Sequence, residues 1–309
     1  MAAYLAIDVG TDRLAAGIVD DSGEVLLRDR VATPPRDVWP ALHRLVRRVV
    51  AARPVDADTV VACGVTSEGP IDREAGTVTP LHVTAWSKFP LVERVAELTG
   101  LPTAVDTAAH GRVLAERWIG AAQDVDDVMV VIMSSAVEAG IVSGGRLRRG
   151  RHGNAGALGH MLVEPDGLLC VCGAQGCLTP YVSAPALEEE TNRPLRRAPA
   201  SIIERAGVML GRAVSSAAAV FDLRLVLLTG FVPSVFGAPF LDASRRELDQ
   251  RSRLAYLRAD PDKAASAVDI DFTVLGSEAP LVGAAGVARM GLEESVGPTI
   301  DGDESHLRT

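Results

Sequence analysis

Cys170, Cys172 and Cys177 are three of the four cysteines in this 309-residue chain, and His160 stands shortly before them. Thiolate and imidazole are the ligands that suit a tetrahedral zinc, and four of them make a closed, structural site. Gly167, Gly173 and Gly176 allow a short loop to fold back and bring the sulfurs together. The spacing C-x-C-x4-C is not the usual double C-x-x-C, so the pattern alone is also compatible with reduced thiols in a small loop. The fourth cysteine, Cys63, lies in an apolar run and reads as a small core residue.

The elements that must position this stretch form two successive α/β series. Tyr4–Val9, Leu14–Val19 and Glu24–Val31 read as a strand meander, with a hairpin signal at Asp20-Asp21-Ser22-Gly23. Val38–Ala52 has apolar residues at helical spacing. A buried strand (Thr59–Val65) runs into a Gly69-Pro70 turn. A helix (Pro90–Leu98), a strand (Pro102–Asp106) and a helix (Ala108–Ile119) follow. The second series begins with strands at Val128–Met133 and Gly140–Ser143 and a turn at Gly144-Gly145, and the cysteine stretch comes next. A long helix at Ser201–Phe221 opens with the capping-box spacing of Ser201 and Glu204. Then come a strand (Leu225–Thr229), a charged helix (Asp242–Tyr256), a strand (Ile270–Leu275) and a small-residue helix (Ala279–Met290). The acidic, aperiodic segment 291–309 reads as disordered. Two such halves suit an α/β protein with a ligand cleft between them.

The formal charge of −9 argues against a general nucleic-acid or anionic-membrane binder. No run of eighteen apolar residues is present, so no bilayer span is expected. MAAYLAIDVG carries no signal-peptide pattern, and clustered, metal-spaced cysteines fit a reducing cytoplasm. The basic run Arg146–His152 reads as a solvated hairpin edge, with an anionic ligand, a phosphosugar or an acidic partner as the alternative.

Several motifs then occur in an order that resembles the ROK family of sugar kinases and sugar-responsive repressors, over nearly the whole chain. DVGTDRLAAGIVDDSGEVL resembles its first phosphate motif, GVTSEGPID its G-x-x-x-P-G-P-x-D turn, and HVTAWSKFPL its sugar-contacting segment. VDTAAHGRVLAE resembles the E-N-D-A-N helix start, and GNAGALGHM with CVCGAQGCL resembles the zinc motifs. LLTG and GSEAPLVGAAGVA resemble the nucleotide-side turn and last helix. The resemblance implies a two-lobed, actin-like ATPase (ribonuclease H-like) fold with an interdomain cleft. It would have an N-terminal lobe at 1–119, to which the helix at 279–290 returns, and a second lobe at 120–278 with its zinc loop at 154–177. It also implies zinc held by His160, Cys170, Cys172 and Cys177, a homodimer, a small polar or sugar-like ligand and, with the chain starting directly in the first lobe, no DNA-binding domain.

The residues that would perform phosphoryl transfer depart from the family pattern. Such transfer needs a base, a phosphate cradle and charge neutralisation by magnesium. The family's catalytic Asp is matched by Ala108, and Asp106 sits two residues earlier, before the helix start, where it is expected to point elsewhere. The sugar-reading positions are His82, Ala157 and Thr179, and Trp86 is a candidate stacking residue. The second phosphate motif is Ser134-Ser135-Ala136-Val137-Glu138-Ala139-Gly140, which has lost glycines and gained a carboxylate at Glu138. In the first, Asp8-Val9-Gly10-Thr11-Asp12-Arg13, Asp12 adds a second negative charge. The expected cleft therefore comprises Asp8, Gly10, Asp12, Glu68 and Gly69, with His82, Trp86, Asp106 and His110. From the second lobe it takes Ser134, Ser135, Glu138, Asn154, Ala157 and His160. Asp106, His110 and Glu138 are the candidates for new acid–base chemistry. The expectation is a ROK-like pseudokinase that binds a ligand without phosphorylating sugar and for which ATP and magnesium are doubtful; a repurposed enzyme and a surviving hexose or N-acetylhexosamine kinase are the alternatives.

Overall fold

The structure, a computed structural model, describes residues 2–56, 59–81, 83, 85–254, 257 and 268–296. It opens with β1 (Ala3–Val9), β2 (Arg13–Asp20) and β3 (Val25–Ala32), an antiparallel meander. After α1 (Val38–Ala52) comes β4 (Val60–Ser67), then the short pair β5 (Ile71–Asp72) and β6 (Thr77–Val78). Next are α2 (Leu91–Thr99), β7 (Thr103–Thr107) and α3 (Ala108–Ile119). The sheet order is β3-β2-β1-β4-β7, with β1, β4 and β7 parallel.

The plan then repeats. β8 (Val128–Met133), β9 (Val137–Ser143) and β10 (Arg146–Leu147) form a second meander. α4 (Thr179–Val182), α5 (Ala184–Thr191) and α6 (Ala200–Phe221) lead to β11 (Leu225–Thr229). After α7 (Phe231–Arg251) and β12 (Asp269–Phe272), α8 (Ala279–Val296) ends the described chain. This sheet runs β10-β9-β8-β11-β12, with β8, β11 and β12 parallel. Two sheets of one plan, each covered by helices, make the two-lobed actin-like fold.

Strand alternation fixes what each face buries. Leu5, Ile7 and Val9 of β1 point to the core under α1, whose Val38, Leu42, Leu45, Val46 and Val49 form one helical stripe. Tyr4 and Ala6 point the other way, against Leu281, Ala284, Ala285 and Ala288 of α8. The last helix therefore closes the first lobe. It sits so close that a Cβ at Gly64 of β4 would lie 1.8 Å from the Ala284 carbonyl oxygen. Gly64→Ala is expected to push α8 off the sheet and cost about 1–3 kcal/mol or more. A denaturant midpoint unchanged from wild type would contradict this seating.

Several sequence expectations are corrected. α6 is preceded by Pro199 and has no side-chain cap; Glu204 pairs with Arg246 at 2.8 Å instead. α7 is two helical pieces joined at a kink: Gly237 (φ 59, ψ −145) is non-helical, so an unexpected short piece from Phe231 precedes the expected charged helix, which begins after the kink, a few residues before Asp242. β12 ends at Phe272, not at residue 275. Residues 291–296 are helical rather than disordered: Gly291 lies against Ala104, and Glu294 pairs with Arg149 at 2.6 Å and Arg73 at 3.0 Å. The remainder of the expected disordered tail, 297–309, lies outside the described residues. Among the described residues, no helix is long and apolar enough to cross a membrane.

Candidate functional site: a four-ligand cluster and an interlobe cavity

A turn of 3-10 helix at Leu158–His160 presents His160, and the following loop doubles back through paired backbones at Leu162 and Cys177. Within it the Gly173 N–H donates to the Cys170 carbonyl and the Cys170 N–H to the Ala174 carbonyl. This knuckle brings the four ligand atoms of His160, Cys170, Cys172 and Cys177 within 4.8 Å of one another. Cys172 Sγ lies 3.8 Å from Cys177 Sγ, and His160 Nδ1 lies 3.7 Å from Cys170 Sγ. A tetrahedron with metal–sulfur bonds of about 2.3 Å has edges of about 3.8 Å, which two of the separations match, and the widest, within 4.8 Å, closes by about 1 Å of side-chain movement. Four protein ligands leave no open position, so a metal here would brace the loop. The loop is tied down at its base: Arg212 of α6 donates to the Val163 carbonyl at 3.0 Å, and the Leu168 N–H donates to the Tyr181 hydroxyl at 2.7 Å.

Beside this loop a cavity of about 700 Å³ opens between the lobes. Gly69, Pro70 and Leu81 line it from one side, together with Thr107 and Ala109 at the start of α3. Across from them stand Ser135, Glu138, Asn154, Ala157 and His160. Six of the expected cleft residues thus meet here: Gly69, Ser135, Glu138, Asn154, Ala157 and His160. Asn154 is already committed, because its amide bonds both the N–H and the carbonyl of Ile71, at 2.8 Å each. Thr179, at a sugar-reading position, donates its hydroxyl to the Gly159 carbonyl at 2.8 Å.

Asp106 and His110 do not line the cavity; both are fully buried behind it. The Asp106 carboxylate accepts from His110 Nδ1 at 2.5 Å, from the Thr107 N–H at 2.9 Å and from Arg149 Nε at 2.7 Å. His110 Nε2 faces the Ala155 carbonyl at 3.0 Å. Arg149 and Arg73 both reach on to Glu294 of α8, so one ionic cluster joins both lobes and the last helix. Burial alone would raise the Asp106 carboxyl, but the His110 hydrogen bond and charge, with Arg149, outweigh it and hold it below the usual value. Arg149 corrects the reading of 146–152 as a wholly solvated edge, since its side chain is 16% exposed. Sequence reasoning missed Arg149, Arg73 and Glu294 as partners; the one signal was a basic run in an acidic chain.

Trp86 is not a cleft residue. It is 4% exposed and stacks on Phe89 with ring centroids 4.2 Å apart, inside the core of the first lobe. Five further candidates are absent from the cavity lining. Asp8 accepts the Thr66 hydroxyl at 2.7 Å, Glu68 accepts that of Thr11, and the Gly10 N–H closes a turn onto the Arg13 carbonyl. Asp12 is exposed, and the Ser134 hydroxyl accepts from the Phe231 N–H at 3.0 Å. Arg112 of α3, half-buried, lies in the field of Asp8 and Glu116. His82 lies outside the described residues. Of the candidate acids, Glu138 is the one that lines the cavity. Burial, then the charge of Glu68, push its carboxyl up to about 7, against the charge of His110 and the Gly69 N–H.

Comparison with known proteins agrees with this geometry. The sequence model of the ROK family matches residues 4–290. A glucokinase of Streptomyces coelicolor is 32% identical over 212 residues, which are 68% of this chain and 64% of that enzyme. The chain thus spans just under two thirds of that curated relative's length. The crystal structure of a ROK hexokinase from Thermus thermophilus superposes with a TM-score of 0.77 at 28% identity, covering 94% of this chain and 99% of the other. That of a ROK family glucokinase from Streptomyces griseus in complex with glucose and AMPPNP gives 0.76 at 28% identity, covering 94% and 100%. With its fold, motif order and family match in agreement, this chain belongs to the ROK family.

Proposed function

We propose that this ROK-family chain is a ligand-binding or regulatory protein on a sugar-kinase scaffold, and that it does not phosphorylate sugars. The observation that carries this reading is the lack of a free carboxylate at the start of α3. Ala108 begins α3 where a proton acceptor is needed, and both oxygens of Asp106 are occupied behind the cavity wall. Loss of a general base forfeits about 10²–10⁴ in rate. The phosphate side supports the same reading, because Glu138 sets a carboxylate in the cavity lining where a polyanion would be repelled. A coupled ADP-release assay with glucose, N-acetylglucosamine, N-acetylmannosamine, fructose and allose is expected to show no turnover, and calorimetry no micromolar Mg-ATP affinity. Sustained turnover of any of these sugars would overturn the proposal.

A repurposed enzyme is the second reading, and Glu138 favours it: a cavity carboxyl pushed up to about 7 is matched to proton transfer at neutral pH. Under that reading a metabolite is converted and Glu138→Ala abolishes the conversion. A structural zinc at the four-ligand cluster, a homodimer and a reducing, cytoplasmic setting belong to the proposal as well; they are supported by the ligand spacing, the family and the free thiols respectively.

A further inference from the structure

The interlobe cavity has a wall chemistry unlike that of a sugar site. Its surface is mostly methyl and ring groups: Ala109, Ala136, Val137, Ala155 and Pro180 form much of the interior. Leu81, Leu169 and Val171 stand at its edge, 71%, 76% and 94% exposed. A hexose presents hydroxyls around its whole ring and needs a matching ring of donors and acceptors. Here the Asn154 amide and the Thr179 hydroxyl are spent on backbone partners. Among the described residues that line the cavity there is no lysine or arginine, and apart from the metal-cluster His160 the ionisable ones are two acids, Glu138 and Glu189.

These features point to one class of ligand. We infer that the cavity binds a compact organic cation, a primary amine with an apolar body, whose ammonium group meets Glu138 while its hydrocarbon covers the alanine, valine and leucine surface. An ammonium meets a carboxylate as a full ion pair as well as a hydrogen-bond donor, whereas an alcohol or sugar hydroxyl offers the hydrogen bond without the opposite charge. Glu138 is suited to that role. It is half-buried, Glu68 adds a second negative charge nearby, and Arg149 of the ionic cluster is held on Asp106. Apolar surface around one convergent charge is the usual composition of a small-molecule site, and about 700 Å³ is an ordinary size for one.

The inference deepens the ligand-binding reading and rests on it. The test is calorimetry on the full chain with cyclohexylmethylamine, its neutral isostere cyclohexylmethanol, and glucose. At pH 8 the amine is expected to bind about tenfold or more tightly than the alcohol, and glucose not to bind. Glu138→Gln is expected to erase the preference. Should that variant misfold, the wild-type pH series serves instead: amine affinity should fall as pH drops below about 7, where Glu138 takes up a proton, while alcohol affinity stays level. Equal binding of amine and alcohol, an amine preference retained in the variant, or no amine binding overturns the inference. The first and last of these leave the non-kinase reading standing, whereas glucose binding with ADP release removes that reading as well.

Discussion

A Cys172→Ser chain is expected to lose its zinc and, with it, the folded state of the loop that walls the cavity. Cys172 is exposed, so the substitution removes almost no packing and isolates the metal bond. Structural zinc contributes about 10–16 kcal/mol of apparent binding free energy in isolated zinc-finger peptides, where folding and binding are one event. The loop here also has Arg212 and Tyr181 at its base, so part of its structure outlasts the metal. Elemental analysis should find one zinc per wild-type chain and none in the variant, whose melting temperature should fall by well over 10 °C. A zinc-free wild-type protein melting with the variant would remove the metal from this account.

The second large effect is expected from Asp106→Asn. The change is nearly isosteric, but it leaves Arg149 half of its ionic cluster and strips the charge from a fully buried position. Breaking one member of such a buried pair costs about 3–5 kcal/mol, to be read from urea unfolding. The sign of the pH dependence follows from the lowered Asp106 value. Its contribution is complete above the ordinary Asp value of 3.8 and is lost as pH falls through the depressed folded value. Wild type should therefore lose this stability only in strong acid, and the variant should lack that part of the acid dependence. A double variant that also replaces Arg149 should lose less than the two single changes together, because they share the bond. Strict additivity would show that Asp106 and Arg149 act separately.

The strands and most helices were legible in the sequence because period and turn residues agree there. The Leu5–Ile7–Val9 alternation and the Val38–Val49 stripe each name their own buried face. The early turns of α7 were not legible, since Gly237 and Pro239 are breakers by composition and tertiary packing carried the chain past them. The cysteine cluster could be read because its ligands are near in sequence. That Asp106 points away from the reaction site was legible from its place before α3, but its long-range partner Arg149 was not, since it lies far along the chain. Trp86 misled for the same reason: stacking on Phe89 gave it a complete partner within the core. Glu138 stood out in sequence as a charge in place of a glycine, but only the fold shows that it faces a largely apolar cavity.

The seat of α8 on the first sheet has a consequence for how the protein is made. Tyr4, Ala6 and Ala62 are synthesised well before their covering residues Leu281, Ala284 and Ala288, which follow only after the whole second lobe. At about 5–20 residues per second, that interval lasts tens of seconds. During it one face of the opening sheet is a naked apolar surface on a nascent chain. The second lobe, whose sheet and helices are contiguous in sequence, can complete itself in the meantime. The half of the molecule that is translated first is therefore the half that finishes folding last, and it is the natural client for a chaperone that binds chains as they leave the ribosome.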